Sequence, residues 1–224
     1  MTKESMMIYD PHVHTKYSSK CGILDPKDII KIAMKKRLDG IVITDHDTIK
    51  GGIETKKYEN SDIKVIIGCE LNTLQGEIIG LFLTEEIKSR DIYEAIDEIH
   101  LQGGLVVVPH PFDELRKTRL KNVRDYVSKI DAIEGFNARC IFDRYNKYAI
   151  KFADEHKIPI VAGSDAHFEN EIGLAGICSP YNIYEDIIRN NIKIFGQRSS
   201  LVNHLKTKTL KSFRRISTLK IYEN

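Results

Sequence analysis

Apolar and polar positions along this chain fall into two alternating rhythms. Short runs rich in β-branched residues recur at 6–9, 40–43, 63–67, 78–83, 105–108, 132–136, 159–162 and 192–195. Several are apolar without interruption, as expected of strands covered on both faces. Between them lie stretches with apolar residues at helical spacing. Asp25-Pro26 supplies an N-cap followed by a proline, and Ile29, Ile30, Ala33, Met34 and Leu38 form a stripe. Ser89 is expected to open a second helix, with Ile92, Ala95, Ile96 and Ile99 inward and Gly103-Gly104 ending it. Asp143 is expected to cap a third, carrying Tyr148, Ala149, Phe152 and Ala153 and stopping before Pro159. A further helix is expected near 184–190.

A repeated strand-then-helix order with apolar strands predicts a parallel α/β fold. Seven or eight strands favour a closed, TIM-like barrel over an open sheet. Runs 63–67 and 78–83 are joined by too few residues for a helix, so the barrel is expected to be distorted. No linker or internal repeat divides the chain. The barrel is assigned to residues 1–204 and a basic tail to 205–224. That tail carries Lys206, Lys208, Lys211, Arg214, Arg215 and Lys220 against Glu223 alone. It reads as a solvated helix or loose segment, or as an arm for phosphates or RNA.

Composition narrows the class. The chain has 224 residues, 42% hydrophobic and 29% charged, enough to bury a core without disulfides. A net charge of +2 does not by itself call for nucleic acid or membrane. Cys21, Cys69, Cys140 and Cys178 form no C-x-x-C, which suits reduced thiols and a cytoplasmic location. No apolar run approaches the roughly 18 residues of a membrane span, and the N-terminal run is too short for a signal-peptide core.

The chemistry collects after the strands. Run 6–9 leads to His12 and His14, which share a face in extended chain. Run 40–43 leads to Thr44-Asp45-His46-Asp47, and 63–67 to Gly68-Cys69-Glu70. Run 105–108 leads to Pro109-His110-Pro111. Run 132–136 contains Glu134 and leads to Asn137; 159–162 leads to Gly163-Ser164-Asp165-Ala166-His167. In a parallel barrel these ends share the face where active sites are built. Carboxylates and imidazoles crowded there would need a cation, and nitrogen and oxygen donors suit zinc, manganese or iron. His100 and His156 sit at helix ends and His204 in the tail; all three read as structural or exposed. Cys21 and Cys69 lie beside the proposed site, Cys69 reading as a small buried residue.

The segments "DPHVHTKYSS", "DGIVITDHDT", "GCE", "VVVPHP" and "GSDAH", in this order, resemble the PHP (polymerase and histidinol phosphatase) family of metal-dependent phosphoesterases. "EIGLAG" and "IFGQRSS" extend the likeness over nearly the whole chain. The resemblance implies a distorted (β/α)7 barrel with two or three divalent ions. It would place the first on His12, His14, Glu70 and Asp165. Glu70 would bridge to a second, which also takes His110, and His46 and His167 would hold a third. Two positions depart from the family pattern. Ser19-Lys20-Cys21 stand where relatives often carry a further His or Asp, and Glu134 and Asn137 where some carry another His.

The implied reaction is hydrolysis of a phosphate ester by a metal-activated hydroxide. Asp165 is the candidate proton acceptor, and His46 or His167 the candidate proton donor to the leaving oxygen. Arg139 and Lys20 are candidate phosphate clamps. Substrates range from a small phosphomonoester or nucleotide to a short oligonucleotide, with nucleic acid also reachable through the tail and no membrane partner. An alternative is a non-catalytic, RNA-binding barrel subunit of an RNA-processing assembly. Hydrolysis of a non-phosphate bond is a third reading.

Overall fold

The computed structural model describes residues 6–18 and 21–221. Lys20, one of the two candidate phosphate clamps, and Ser19 lie outside them. Strands β1 (Met7–Val13), β2 (Gly40–Ile43), β3 (Lys64–Asn72), β4 (Glu77–Leu81), β5 (Leu105–Val108), β6 (Ala132–Asn137), β7 (Ile160–Gly163), β8 (Ala175–Ser179) and β9 (Lys193–Gly196) make one sheet. Its order is β7-β6-β5-β4-β3-β2-β1-β8-β9. Helices α1 (Pro26–Lys35), α2 (Lys50–Lys56), α3 (Ile92–Leu101), α4 (Asp143–His156), α5 (Ile183–Ile188) and α6 (Leu201–Ile221) intervene or follow.

The sheet curls until its β7 end meets β1. Val13 bridges Ala166 just past β7; the His14 N–H donates to Ala166 O at 2.9 Å and the Ala166 N–H to His12 O at 3.2 Å. The result is a nearly closed, distorted barrel. Pairs β1–β2, β2–β3, β5–β6 and β6–β7 are parallel, whereas β3–β4, β4–β5, β1–β8 and β8–β9 are antiparallel. The distortion thus has two sources, the β3–β4 hairpin and the β8–β9 edge. Tyr9, Val42, Ile79, Val107, Val161 and Ile177, from six strands, pack together in one cluster. Alternate residues on the same strands meet the helices: Ile41 and Ile43 pack with Ile29 and Ala33 of α1, and Val106 and Val108 with Ile96 and Ile99 of α3.

Helix starts follow side-chain chemistry, with two corrections. Asp25 caps α1 as expected, accepting from the Lys27 N–H at 3.0 Å. The cap of α3 is Asp91 rather than Ser89: its carboxylate accepts from Tyr93 and Glu94 N–H groups, while Ser89 Oγ accepts from Asp91 N–H and donates to Glu94. Asp143 is the first residue of α4, not its cap; Phe142 holds that position.

Two elements escaped the pattern. β8 is short, AGICS, with Ile177 its one large residue. α2 carries Gly51-Gly52, poor helix formers. Gly51 is required there, since a Cβ would lie 1.8 Å from Asp45 Oδ2. The basic segment from 205 onward continues the helix that starts at Leu201. Among the described residues no helix is long and apolar enough to cross a membrane.

Candidate metal centre

Each strand-end motif divides into residues that stitch the barrel and residues that face its mouth. In β1, the buried Asp10 accepts from the N–H groups of His12 (3.3 Å), Ser164 (3.0 Å) and Gly173 (2.8 Å), tying β1 to the segment after β7. Burial pushes the Asp10 carboxyl up to about 6. After β2, Asp45 accepts from Thr15 N–H and Thr15 Oγ1, both at 2.6 Å, and pins the two strand ends together. Asp47 turns away to Asn72 and Arg90. His12, His14 and His46 are left facing the mouth.

Those side chains converge. His12 Nε2 and His14 Nε2 are 3.1 Å apart. Glu70 Oε2 lies 3.6 Å from the first and 3.4 Å from the second; Asp165 Oδ1 lies 3.8 and 3.2 Å away. Donors on one ion with bonds of ~2.1 Å stand ~3.0–3.4 Å apart, so these atoms fit around a single cation. Glu70 lies inside β3, whose strand runs two residues beyond it, and its other oxygen is 3.0 Å from His110 Nε2. His46 Nδ1 is 3.2 Å from Glu70 Oε2, and His14, His46 and His167 form another group with ligand atoms within 4.8 Å of one another. The seven candidate ligands therefore meet in one place.

The buried side-chain atoms that lack a hydrogen-bond partner are His14 Nδ1, His46 Nδ1, His110 Nδ1, Glu70 Oε2 and Asp165 Oδ1, among the described residues. All five belong to this cluster. Buried polar groups are nearly always paired, so Glu70 Oε2, Asp165 Oδ1 and His46 Nδ1, open among close donor atoms, suit a cation.

Supporting residues set the directions. Glu134 Oε1 contacts His12 Nδ1 at 2.9 Å, leaving Nε2 to face the cluster, and its Oε2 accepts from the His110 N–H and from Asn137 Nδ2, both at 2.8 Å. Such carboxylates orient metal-binding imidazoles. Glu134 is thus behind a candidate ligand. Asn137 likewise offers its amide N–H to Asp165 Oδ2 at 3.3 Å and its carbonyl oxygen to the Arg139 N–H. His167 Nδ1 pairs with Asp165 O at 2.8 Å, which leaves Nε2 with its lone pair. Gly163 has no room for a side chain: a Cβ would meet His12 Cβ at 2.4 Å.

Electrostatics divide the imidazoles. Burial opposes a charge on His12, yet Glu134, Asp165 and Glu70 hold its pKa well above the ordinary value. Burial likewise opposes a charge on His46, but Glu70, Cys21 and Glu77 carry it up to about 10. Burial brings His14 down to about 4, and burial with His14 and Arg139 keeps His167 well below its usual range. Burial disfavours ionised Glu70 and Asp165, but His46 and His12 around the first, and Arg116 and His12 around the second, hold both well below the carboxylate range.

A cavity of about 560 Å³ opens from this cluster. His46, His167 and Glu77 line it, with Asp113, Arg116, Lys117, His204 and Lys208. Arg116 Nη2 donates to Asp165 Oδ2 at 2.5 Å. No sequence signal singled Arg116 out. Arg139 reaches the same cavity, but its guanidinium is held by Glu171 at 2.6 and 2.8 Å and by Thr207 Oγ1 at 2.9 Å. His204, expected to be structural or exposed, is a half-buried part of the cavity wall. His100 pairs with Asp131, and His156 with Phe152 O, away from the site. Cys69 and Cys21 are buried, and the Cys21 thiol adjoins His46.

Relatives agree with this architecture. An uncharacterized protein of Methanocaldococcus jannaschii is 42% identical over 140 residues, covering 58% of this chain and 81% of its own. A two-domain protein from Bacteroides vulgatus, described as containing a predicted PHP-like metal-dependent phosphoesterase, superposes with a TM-score of 0.71 at 18% identity, over 86% of this chain. The match spans 65% of that protein, less than two thirds of its length. A lesion-specific endonuclease from Pyrococcus furiosus superposes with a TM-score of 0.57 at 16% identity, over 84% of this chain and 57% of the endonuclease. At these identities the structural likeness is one of fold. The PHP domain profile matches residues 10–203, and the chain belongs to the PHP domain family.

Proposed function

We propose that this chain is a metal-dependent hydrolase of phosphate esters, acting on a substrate of about nucleotide size. The observation that carries it is the convergence of donor atoms of His12, His14, Glu70 and Asp165 to 3.1–3.8 Å, with buried Glu70 Oε2, Asp165 Oδ1 and His46 Nδ1 lacking a hydrogen-bond partner. His12, His14, Glu70 and Asp165 would hold one ion, Glu70 and His110 a second, and His46 and His167 are the candidates for a third. Zinc, manganese and iron all suit this donor set. Bound there, such ions supply a water activated near neutral pH and neutralise charge on the phosphate oxygens.

The chain's own groups do the rest. Asp165 is held by Arg116 and Asn137 on one oxygen, so its other oxygen keeps a fixed aim and can take a proton from the attacking water. His46 lines the cavity and is placed to hand a proton to the leaving oxygen, whereas His167, with its proton on Nδ1, presents a lone pair there and is placed as a ligand. Arg116, on the cavity wall, is placed to hold a phosphate oxygen. Arg139 is the further candidate clamp, with its guanidinium already engaged by Glu171. The cavity volume lies within the ~300–1,000 Å³ of small-molecule sites, and Arg116, Lys117 and Lys208 bias it toward anions. The endonuclease among the fold neighbours keeps a short oligonucleotide within the substrate set. A scaffold that merely binds RNA has no use for seven converging ligands, which favours the enzyme over the alternative reading.

The test is an assay of chelator-treated and metal-reloaded protein on chromogenic phosphomonoesters and phosphodiesters, nucleotides and short oligonucleotides. Turnover should appear only with added manganese, zinc or iron, and vanish in His12→Ala. Full activity of the metal-stripped protein would overturn the proposal.

A further inference from the structure

The second ion, as assigned so far, has only two protein ligands, Glu70 and His110. Strand β4 brings another carboxylate to it. In the β3–β4 hairpin Glu70 faces Ile79 and Asn72 faces Glu77. Residues two apart share a face, so Glu70, Asn72 and Glu77 lie on one side of the ribbon, with Glu77 diagonal to Glu70. Both glutamates are buried, at 0% and 4% exposure.

Two imidazoles stand between them. His110 Nε2 is 3.0 Å from Glu70 Oε1 and 3.7 Å from Glu77 Oε2. His46 Nδ1 is 3.2 Å from Glu70 Oε2 and 3.9 Å from Glu77 Oε1. Ligand atoms of His46, Glu70 and Glu77 lie within 4.8 Å of one another. His46 Nδ1, on the Glu77 side of Glu70, has no hydrogen-bond partner. Two buried carboxylates facing each other across imidazoles form a hole that a divalent cation relieves.

We propose that Glu77 is a ligand of the second ion, completing its site with Glu70 and His110. Asn137 is not available for this, because its amide is engaged by Glu134, Asp165 and the Arg139 N–H. The Thr118 hydroxyl donates to Glu77 Oε2 at 2.7 Å and orients the carboxylate, as outer partners of metal ligands do. Thr118 lies in the cavity-lining segment that also carries Arg116 and Lys117, so the second ion and the substrate wall share one anchor. The inference rests on the metal-dependent reading above.

Manganese titration of the metal-free full-length chain, followed by calorimetry and electron paramagnetic resonance, tests it. The wild type should bind at least two ions, with the spectrum of an exchange-coupled pair. Glu77→Gln keeps the size and an acceptor for Thr118. It should lose one ion or weaken one site at least tenfold, and lose the coupled spectrum, with the first site unchanged. Thr118→Val, which removes only the anchor, should keep both ions. Glu77→Gln binding as many ions as tightly as the wild type overturns the inference while leaving the metal-dependent reading intact. A wild type that binds no ion overturns that reading as well. Should circular dichroism show the Gln variant unfolded, Glu77→Asp carries the test, and unchanged affinity at its second site is the overturning result.

Discussion

Two buried charged clusters lie side by side at the mouth of this barrel, and they differ in one respect. Around Glu171 every demand is met. Its carboxylate, fully buried, accepts from Arg139, Ser199 Oγ and the N–H groups of His167 and Phe168. Arg139 spends its remaining contact on Thr207 of α6. Around Glu70 and Asp165 the opposite holds, with five atoms left without partners. Both clusters are buried and ionic, so burial alone does not separate them. Satisfaction does. A closed network fixes structure, whereas an open one of nitrogen and oxygen donors reserves its lone pairs for something that arrives later.

The comparison can be broken from either side. The largest effect is expected in the open cluster. His12→Ala or Asp165→Asn should lower kcat by at least ~1000-fold, about 4 kcal/mol of barrier, with the fold kept; steady-state kinetics and circular dichroism check both. Gly163→Ala tests the same point through shape. Its new Cβ would displace His12, so bound metal, measured by elemental analysis, should fall together with activity.

Arg139→Met attacks the closed cluster and should do the reverse. It strands the Glu171 carboxylate, and breaking a buried pair in this way costs ~3–5 kcal/mol. The loss should appear in chemical denaturation at constant metal content. Metal addition offers a smaller signal. Ions that bind only the folded chain at a hundred times their dissociation constant should add ~2.7 kcal/mol of stability per site, read as a rise in melting temperature that chelator reverses. A site with no such response would rejoin the structural class.

The smallest effect concerns His204, which lies beside both clusters. Burial, then Arg139 and Arg116, hold its pKa down at about 4 from 6.5, against weaker opposing pulls from Asp165 and Asp113. The unfolded chain therefore takes up a proton that the folded chain refuses as pH falls from 6.5 toward 4. The stability His204 contributes is whole above that window and fades within it. His204→Gln should flatten the slope of stability against pH there, measured by denaturation at a series of pH values.

Much of the candidate site was legible along the chain because each part of it is local. A strand that ends in a histidine or a carboxylate announces both its direction and its cargo, as in His12-Val13-His14 or Ser164-Asp165-Ala166-His167. Asp25-Pro26 announced α1 for a similar reason, since a cap and its helix are neighbours. Failures followed the same logic. Strand β8 has four small residues around Ile177 and little apolar signal of its own, and it pairs with β1 and β9. Helix α2 carries two glycines because Gly51 must pass close to Asp45.

The sequence by itself determined a distorted α/β barrel, its family likeness and which imidazoles and carboxylates stand at the strand ends. Periodicity, caps and motif spacing act over a few residues, so they can be read in one dimension. Only the tertiary structure decided what each polar group does. Glu134 stands behind His12, 122 residues away in sequence. Arg139 is drawn to Glu171 and, 68 residues on, to Thr207 of the helical tail. Arg116 meets Asp165 across 49 residues. Partners so far apart leave no periodic trace, because the chain path and not the local pattern brings them together. Whether a buried charge is paired or left open is therefore settled by the fold.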